Sequence, residues 1–186
     1  MSSVLLRVSE HCVGDPYGTA STASTSCPGA RRSRRHRVAV RAAPLIGGLL
    51  NRLVLAQATP YALPLEWFDG AVLFWEETGG LASHVWSYLQ ILRHCGILDR
   101  ISGMVVGVPH AISGLEAPAA SPTLPEMVLD VLGDRDIPVL GNVEFGHAGP
   151  NLPMPVGIRV GLDARQRTLS LLEPAVRPHA MTEPVG

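Results

Sequence analysis

The chain of 186 residues is 46% hydrophobic and 17% charged, which is the composition of an ordinary globular protein. Its formal net charge of -1 argues against a general affinity for nucleic acid or for anionic membranes. No apolar run approaches the roughly 20 residues that span a bilayer, and no secretion signal is recognisable at the N-terminus. We therefore expect a cytoplasmic protein with no nucleic-acid partner and no membrane partner.

Cysteine and histidine spacing gives no support for a metal centre or a disulfide framework. The three cysteines are odd in number and show no Cys-x-x-Cys spacing. His84, His94 and His110 share no metal-ligand spacing. Cys95 beside His94 suggests a Cys/His nucleophile, but Cys95 falls on the apolar stripe of a predicted helix and is expected in the core. We expect no metal and no cofactor.

Residues 1–43 differ in composition from the rest of the chain. A Ser/Thr/Ala-rich stretch is followed by the basic run at residues 31–37, Arg-Arg-Ser-Arg-Arg-His-Arg. Such a segment buries too little apolar surface to offset its ordering entropy, so we expect it to be disordered. The basic run is read as a solvated tail, with a nucleic-acid-binding arm as an alternative. A third interpretation is that the segment derives from a frameshift.

The first half of the predicted domain begins at Pro44. An apolar segment through Leu55 is expected to be helical and to end at the Thr-Pro pair of residues 59–60. Residues 71–76 form a buried-strand run. Apolar residues at three- and four-residue spacing then predict a helix over residues 83–98 with one buried face. Trp75 in the strand and Trp86 in the helix are expected in the core.

The second half continues the alternation of strands and helices. Thr123 and Glu126 form a capping box that predicts a helix ending near Gly133. A Pro/Ala/Gly-rich loop precedes it, and a frayed tail follows the domain at residues 175–186. Strands are predicted at residues 101–108, 137–140, 156–162 and 168–172, the last two as a hairpin. The whole pattern indicates an α/β domain with a mixed sheet over residues 44–174.

Two acids and one histidine stand out as chemistry-bearing residues. Glu76 and Glu77 end a buried strand, and His147 lies in a glycine-rich loop after a later strand. Because residues at the ends of neighbouring strands meet at one edge of an α/β sheet, an acid and the imidazole could form a pair there. On spacing alone, the alternative that they are unrelated exposed polar residues is favoured. A carboxylate would fix the tautomer of the imidazole and leave its other nitrogen free to act as a base. Strand alternation puts the two acids on opposite faces, so only one can serve.

Several segments resemble the C-terminal domain of the LD-carboxypeptidase family, which includes muramoyltetrapeptide carboxypeptidases and microcin C immunity peptidases. The resemblance covers about residues 44–173. Its motifs follow the order of the family: Pro-Leu-Ile-Gly-Gly at 44–48, Thr-Pro-Tyr at 59–61, Leu-Phe-Trp-Glu-Glu-Thr-Gly at 73–79, Gly-Ile-Leu-Asp-Arg at 96–100, Gly-His-Ala-Gly-Pro-Asn at 146–151 and Pro-Val-Gly at 155–157.

The resemblance implies a serine peptidase whose Ser-Glu-His triad spans two domains. The N-terminal domain would be flavodoxin-like and carry the serine, and the C-terminal domain would be of a swivelling β/β/α type. Carried onto this sequence, Glu76 is the triad glutamate and His147 is the general base. The implied reaction is hydrolysis of the L-to-D peptide bond of murein tetrapeptide, which releases D-alanine without a metal. The intact family implies a homodimer.

This chain departs from the family pattern at the nucleophile. No Gly-x-Ser elbow lies in the first 43 residues, where Ser21, Ser24 and Ser26 occupy a polar stretch with no preceding strand. Residues 80–84, Gly-Leu-Ala-Ser-His, replace the acid, prolines, Tyr and Arg typical of the family. We therefore expect the chain to lack the nucleophile domain and to be inactive alone. The alternatives are a microcin C immunity-type peptidase and a non-enzymatic module that binds a peptide or another subunit.

Overall fold

The computed structural model describes residues 4–7, 39–115 and 122–176. The Ser/Thr-rich stretch and the basic run at residues 31–37, for which disorder was expected, lie outside the described residues. The same holds for the three serines at positions 21, 24 and 26, and for the tail beyond residue 176.

The described strands form one mixed sheet in the order β1-β7-β6-β2-β3-β4-β5. Strands β2 to β5 run parallel to one another, whereas β1, β7, β6 and β2 pair antiparallel. The strands are β1 (Val4–Arg7), β2 (Ala39–Leu49), β3 (Val72–Glu76), β4 (Gly103–Gly107), β5 (Val139–Val143), β6 (Arg159–Asp163) and β7 (Thr168–Leu171). The predicted α/β fold with a mixed sheet is confirmed, and so is the hairpin formed by β6 and β7.

Helices connect the parallel strands and pack on one face of the sheet. They are α1 (Leu50–Ala56), α2 (Ala82–His94), α3 (Ile97–Arg100) and α4 (Leu124–Leu132), with a short 3-10 helix at Leu65–Phe68. Alternate residues of β3 divide the core: Leu73 and Trp75 pack under the helices, whereas Val72 and Phe74 pack on the opposite face against β6 and the segment after β5. No helix in the described ranges is long and apolar enough to cross a membrane.

The start of α4 follows the predicted capping box. The Thr123 hydroxyl accepts a hydrogen bond from the backbone N–H of Glu126, and the Glu126 carboxylate accepts one from the backbone N–H of Thr123. The last helical residue is Leu132 and Gly133 is the C-cap, which agrees with the predicted end near Gly133. The hydrogen bonds from the backbone and side chain of Thr123 hold the pKa of the Glu126 carboxyl below its ordinary value. These bonds satisfy helix-end donors that would otherwise have no partner.

Several element boundaries differ from the sequence-based expectation. Strand β2 (Ala39–Leu49) was not predicted, and its first residues, which belong to the segment 1–43 that was expected to be disordered, pair with β6. Val4–Arg7 of the same segment pair with β7 as strand β1. The predicted helix over 83–98 is divided at Gly96, which has a left-handed φ of 77°. Strand β5 extends to Val143 because its pairing with β4 continues past a register shift.

The predicted core residues have different exposures. Trp75 is 1% exposed in the helix-side core, as expected. Trp86 is 41% exposed and its indole N–H donates to Asp130 Oδ2, so its assignment to the core was wrong. Cys95 is partly buried against the helix-side core and is a free thiol. The apolar stripe predicts the buried face of α2 but not how far that face extends around the helix.

Candidate active site

Glu76 and His147 meet at the carboxyl end of β3. Nδ1 of His147 lies 3.0 Å from Oε1 and 3.1 Å from Oε2 of Glu76. An ionised Glu76 carboxylate can only accept, so this contact favours the His147 tautomer that carries its proton on Nδ1. The Glu76 side chain is 9% exposed, whereas that of His147 is 51% exposed. The pair therefore combines a buried carboxylate with an imidazole that solvent or a ligand can reach.

A short loop anchored in the core carries His147. Phe145, 2% exposed, packs edge-on against Phe74 with ring centroids 5.6 Å apart. The loop is closed by two hydrogen bonds: the backbone N–H of Leu152 donates to the Glu144 carbonyl, and that of Gly146 donates to the Asn151 side chain. A buried aromatic ring next to the glycine–histidine pair thus fixes where the imidazole is presented.

Glu77 points to the other face of the sheet, as alternation predicts. Its carboxylate is 3% exposed. It accepts hydrogen bonds from the backbone N–H of Asn51 at 2.8 Å, the Asn51 side-chain amide at 2.9 Å and the backbone N–H of Thr78 at 3.1 Å. Of the two adjacent acids, Glu76 is therefore the one that contacts His147. Glu77 joins the end of β3 to the first turn of α1.

Glu77 is predicted to stabilise the fold rather than to contribute to the chemistry. In Glu77→Ala, two donors of Asn51 lose a buried carboxylate partner, so we expect the free energy of unfolding to fall by about 2–4 kcal/mol. Urea denaturation followed by circular dichroism measures this change. Glu66→Ala, at an exposed acid, is the control and should change stability by less than about 0.5 kcal/mol. Equal losses of unfolding free energy in Glu77→Ala and Glu66→Ala would contradict the structural role of Glu77.

The other described histidines, His84, His94 and His110, make no hydrogen bond or ring contact with this pair. Nδ1 of His110 lies 3.1 Å from the Thr78 hydroxyl, where segments after β3 and β4 form an isolated bridge. The ring of His84 is 6.3 Å from that of Tyr88. Within the parts of the chain that the structure describes, no group of three or more His, Cys, Asp or Glu side chains is placed to hold a metal ion.

A cavity of about 620 Å³ lies away from the Glu76–His147 pair. It is lined by residues of β4, α4 and β5 and of the segment after β4, on the helix side of the sheet, and none of its described lining residues is charged. The described lining residues offer neither a base nor an acid. The only described acid–imidazole contact at this edge of the sheet is that of Glu76 with His147, so the candidate site is placed there.

The arrangement can orient an imidazole and stabilise its positive charge when it is protonated. Glu76 holds the proton on Nδ1, which leaves the lone pair on Nε2 of His147 available to accept a proton from a nucleophile. Among the described residues, the only hydrogen bonds of the His147 side chain are those to Glu76. Sequence reasoning identified both partners. It missed that Gly107 and Gly146 border the Glu76 side chain, because a glycine at a strand end or in a loop resembles an ordinary turn signal.

Comparison with known proteins gives consistent matches. A profile of the LD-carboxypeptidase C-terminal domain matches residues 42–162. A putative carboxypeptidase of Synechocystis is 33% identical over 154 residues, which cover 76% of this chain and 50% of that protein. The microcin C7 self-immunity protein MccF of Escherichia coli is 26% identical over 129 residues, covering 69% of this chain and 36% of that protein.

Two solved structures extend the match to three dimensions. The muramoyltetrapeptide carboxypeptidase of Oxalobacter formigenes superposes with a TM-score of 0.60 at 27% identity, covering 72% of this chain and 45% of that one. Wild-type MccF superposes with a TM-score of 0.65 at 22% identity, covering 74% of this chain and 39% of that one. The chain spans half or less of the length of these relatives.

Proposed function

Because the chain belongs to the LD-carboxypeptidase family through its C-terminal domain, we propose that it supplies the glutamate and histidine of a serine-type LD-carboxypeptidase. Membership of this family supports peptidase activity in general. The proposed reaction is hydrolysis of the L-to-D peptide bond of murein tetrapeptide, with release of D-alanine. The observation that carries the proposal is the contact of His147 Nδ1 with the buried Glu76 carboxylate.

The roles follow from the geometry. Glu76 orients the imidazole and stabilises the imidazolium that forms when Nε2 takes a proton. His147 takes the proton of the attacking hydroxyl and returns it to the leaving amine. The acyl group passes transiently to the nucleophile and then to water. No metal is required for these steps.

The nucleophile is proposed to come from outside the described residues. No Ser, Thr or Cys within residues 39–115 and 122–176 hydrogen-bonds to His147. The half-exposed imidazole leaves Nε2 open to a hydroxyl presented by another segment or another polypeptide. A flavodoxin-like domain carrying a serine on a strand-to-helix turn is the proposed source.

A domain exchange tests the proposal. Residues 42–162 would replace the matching segment of the Oxalobacter formigenes enzyme, and release of D-alanine from murein tetrapeptide would be measured. We expect the folded hybrid to release D-alanine and to lose that activity with His147→Ala. A hybrid that is folded and monodisperse but inactive, under conditions in which the parent enzyme is active, would contradict the proposal.

Similarity to MccF supports a second candidate substrate. One MccF structure was solved in complex with aspartyl sulfamoyl adenosine. The alternative is therefore cleavage of an aminoacyl–sulfamoyl nucleotide by the same Glu76–His147 pair. The same hybrid incubated with that compound separates the two readings: preferential release of aspartate would favour the microcin-type activity, and preferential release of D-alanine would favour the murein-type activity.

A further inference from the structure

The Glu76 side chain lies in a narrow slot between two glycines. A Cβ atom placed on Gly146 would be 2.7 Å from Oε2, 2.8 Å from Cδ and 2.9 Å from Cγ of Glu76. A Cβ atom placed on Gly107 would be 2.9 Å from Cβ of Glu76 and 2.9 Å from the carbonyl oxygen of Phe145. Real Cβ atoms essentially never make contacts this short. A side chain at Gly146 therefore requires the Glu76 side chain to move, and one at Gly107 requires both Glu76 and the Phe145 carbonyl to shift.

The two glycines come from different parts of the fold. Gly107 is the last residue of β4, the neighbour of β3 in the sheet, and Gly146 precedes His147 in the loop after β5. One borders the stem of Glu76 and the other borders its carboxylate. Together they determine where the carboxylate can lie relative to Nδ1 of His147.

This slot matters because Glu76 has few other constraints. Its described hydrogen bonds are both to the His147 imidazole. Glu77, by contrast, is held by three donors from Asn51 and Thr78. A buried carboxylate with one partner keeps its position through packing, and a displacement of a few tenths of an ångström lengthens a hydrogen bond that is already 3.0 Å long.

We propose that Gly107 and Gly146 are positioning residues that hold the Glu76 carboxylate against Nδ1 of His147. The inference rests on the proposed function, in which this contact orients the base. The two glycines act through Glu76 and touch no reacting atom. Their role is to leave room, so the effect of a substitution should appear in the tautomer of His147 and not only in stability.

The test uses nitrogen-15 NMR of the neutral His147 imidazole in the full chain, which reports whether Nδ1 or Nε2 carries the proton. Gly146→Ala combines the clash with backbone strain, because Gly146 has a φ of +106°. Gly157→Ala is its matched control, with a φ of +89° and open space around the added Cβ. Gly107→Ala is paired with Gly141→Ala, a strand glycine of ordinary φ that also faces open space.

We expect the wild type and both controls to keep the proton on Nδ1. The Gly146→Ala and Gly107→Ala variants, shown to be folded by circular dichroism, should lose the signal of the Nδ1-bound proton and populate the Nε2–H tautomer. Folded Gly107→Ala or Gly146→Ala protein with the wild-type tautomer would overturn the proposal. An equal loss of the signal of the Nδ1-bound proton in the controls would also overturn it. If Gly146→Ala does not fold, Gly107→Ala decides. Unfolding of both variants while the controls fold would overturn it too, because the glycines would then serve packing in general.

This readout does not depend on turnover. If the hybrid enzyme releases no D-alanine but the tautomer responds as expected, the proposed function fails and the positioning role stands. If the hybrid is active but neither glycine substitution changes the tautomer, only the positioning role is refuted.

Discussion

His147→Ala is expected to lower kcat of the hybrid peptidase by at least about 10⁴-fold, because this side chain both accepts and returns the proton in the proposed mechanism. KM should change by less than about 10-fold, since a proton-transfer residue contributes mainly to the transition state. Initial rates of D-alanine release over a range of tetrapeptide concentrations measure both constants.

The exposure of His147 makes this variant suitable for a kinetic test. Its side chain is half-exposed, and its described hydrogen bonds are only those to Glu76. Removing it should therefore leave the fold intact, which thermal unfolding can check. A folded variant that retains more than about a tenth of the wild-type kcat would show that His147 is not the base.

Glu76→Gln is expected to lower kcat by about 10³- to 10⁴-fold. The amide keeps the volume and an acceptor oxygen but loses the charge that stabilises the imidazolium. The loss should be smaller than that for His147→Ala, because Glu76 acts through the histidine and transfers no proton itself.

Glu77→Gln is the matched control for Glu76→Gln. The two acids are adjacent, and both are buried, but Glu77 contacts Asn51 and Thr78 on the other face of the sheet. We expect its kcat to stay within about 10-fold of the wild type even though its stability falls. The reverse order, with Glu77→Gln the more damaging to kcat, would mean that the wrong acid has been paired with the imidazole.

Pattern rules and the family resemblance together predicted the pair. A buried-strand run ending in two acids, alternation across the sheet and a glycine-flanked histidine after a later strand made Glu76 or Glu77 a candidate partner of His147, and the family resemblance turned that candidate into an assignment. The sequence left open which acid serves. The structure answers this through Asn51, whose backbone and side-chain donors hold Glu77 on the helix side.

Other features depend on tertiary contacts that periodicity does not report. The first residues of β2 follow a basic run and carry no clear strand pattern, so their pairing with β6 was missed. The division of the predicted helix depends on the left-handed conformation of Gly96, and glycine within an apolar pattern is compatible with helix or turn. The slot formed by Gly107 and Gly146 depends on where the Glu76 side chain lies, which no local pattern shows.

The protonated nitrogen of His147 tests the central claim most directly. The account predicts that the neutral imidazole of the wild-type chain carries its proton on Nδ1, and that Glu76→Met, which keeps an unbranched side chain of similar length without the carboxylate, moves the proton to Nε2. Nitrogen-15 chemical shifts of the ring distinguish the two tautomers. Finding the wild-type proton on Nε2, or finding the same tautomer in Glu76→Met, would contradict the pairing of Glu76 with His147 as the orienter of a base.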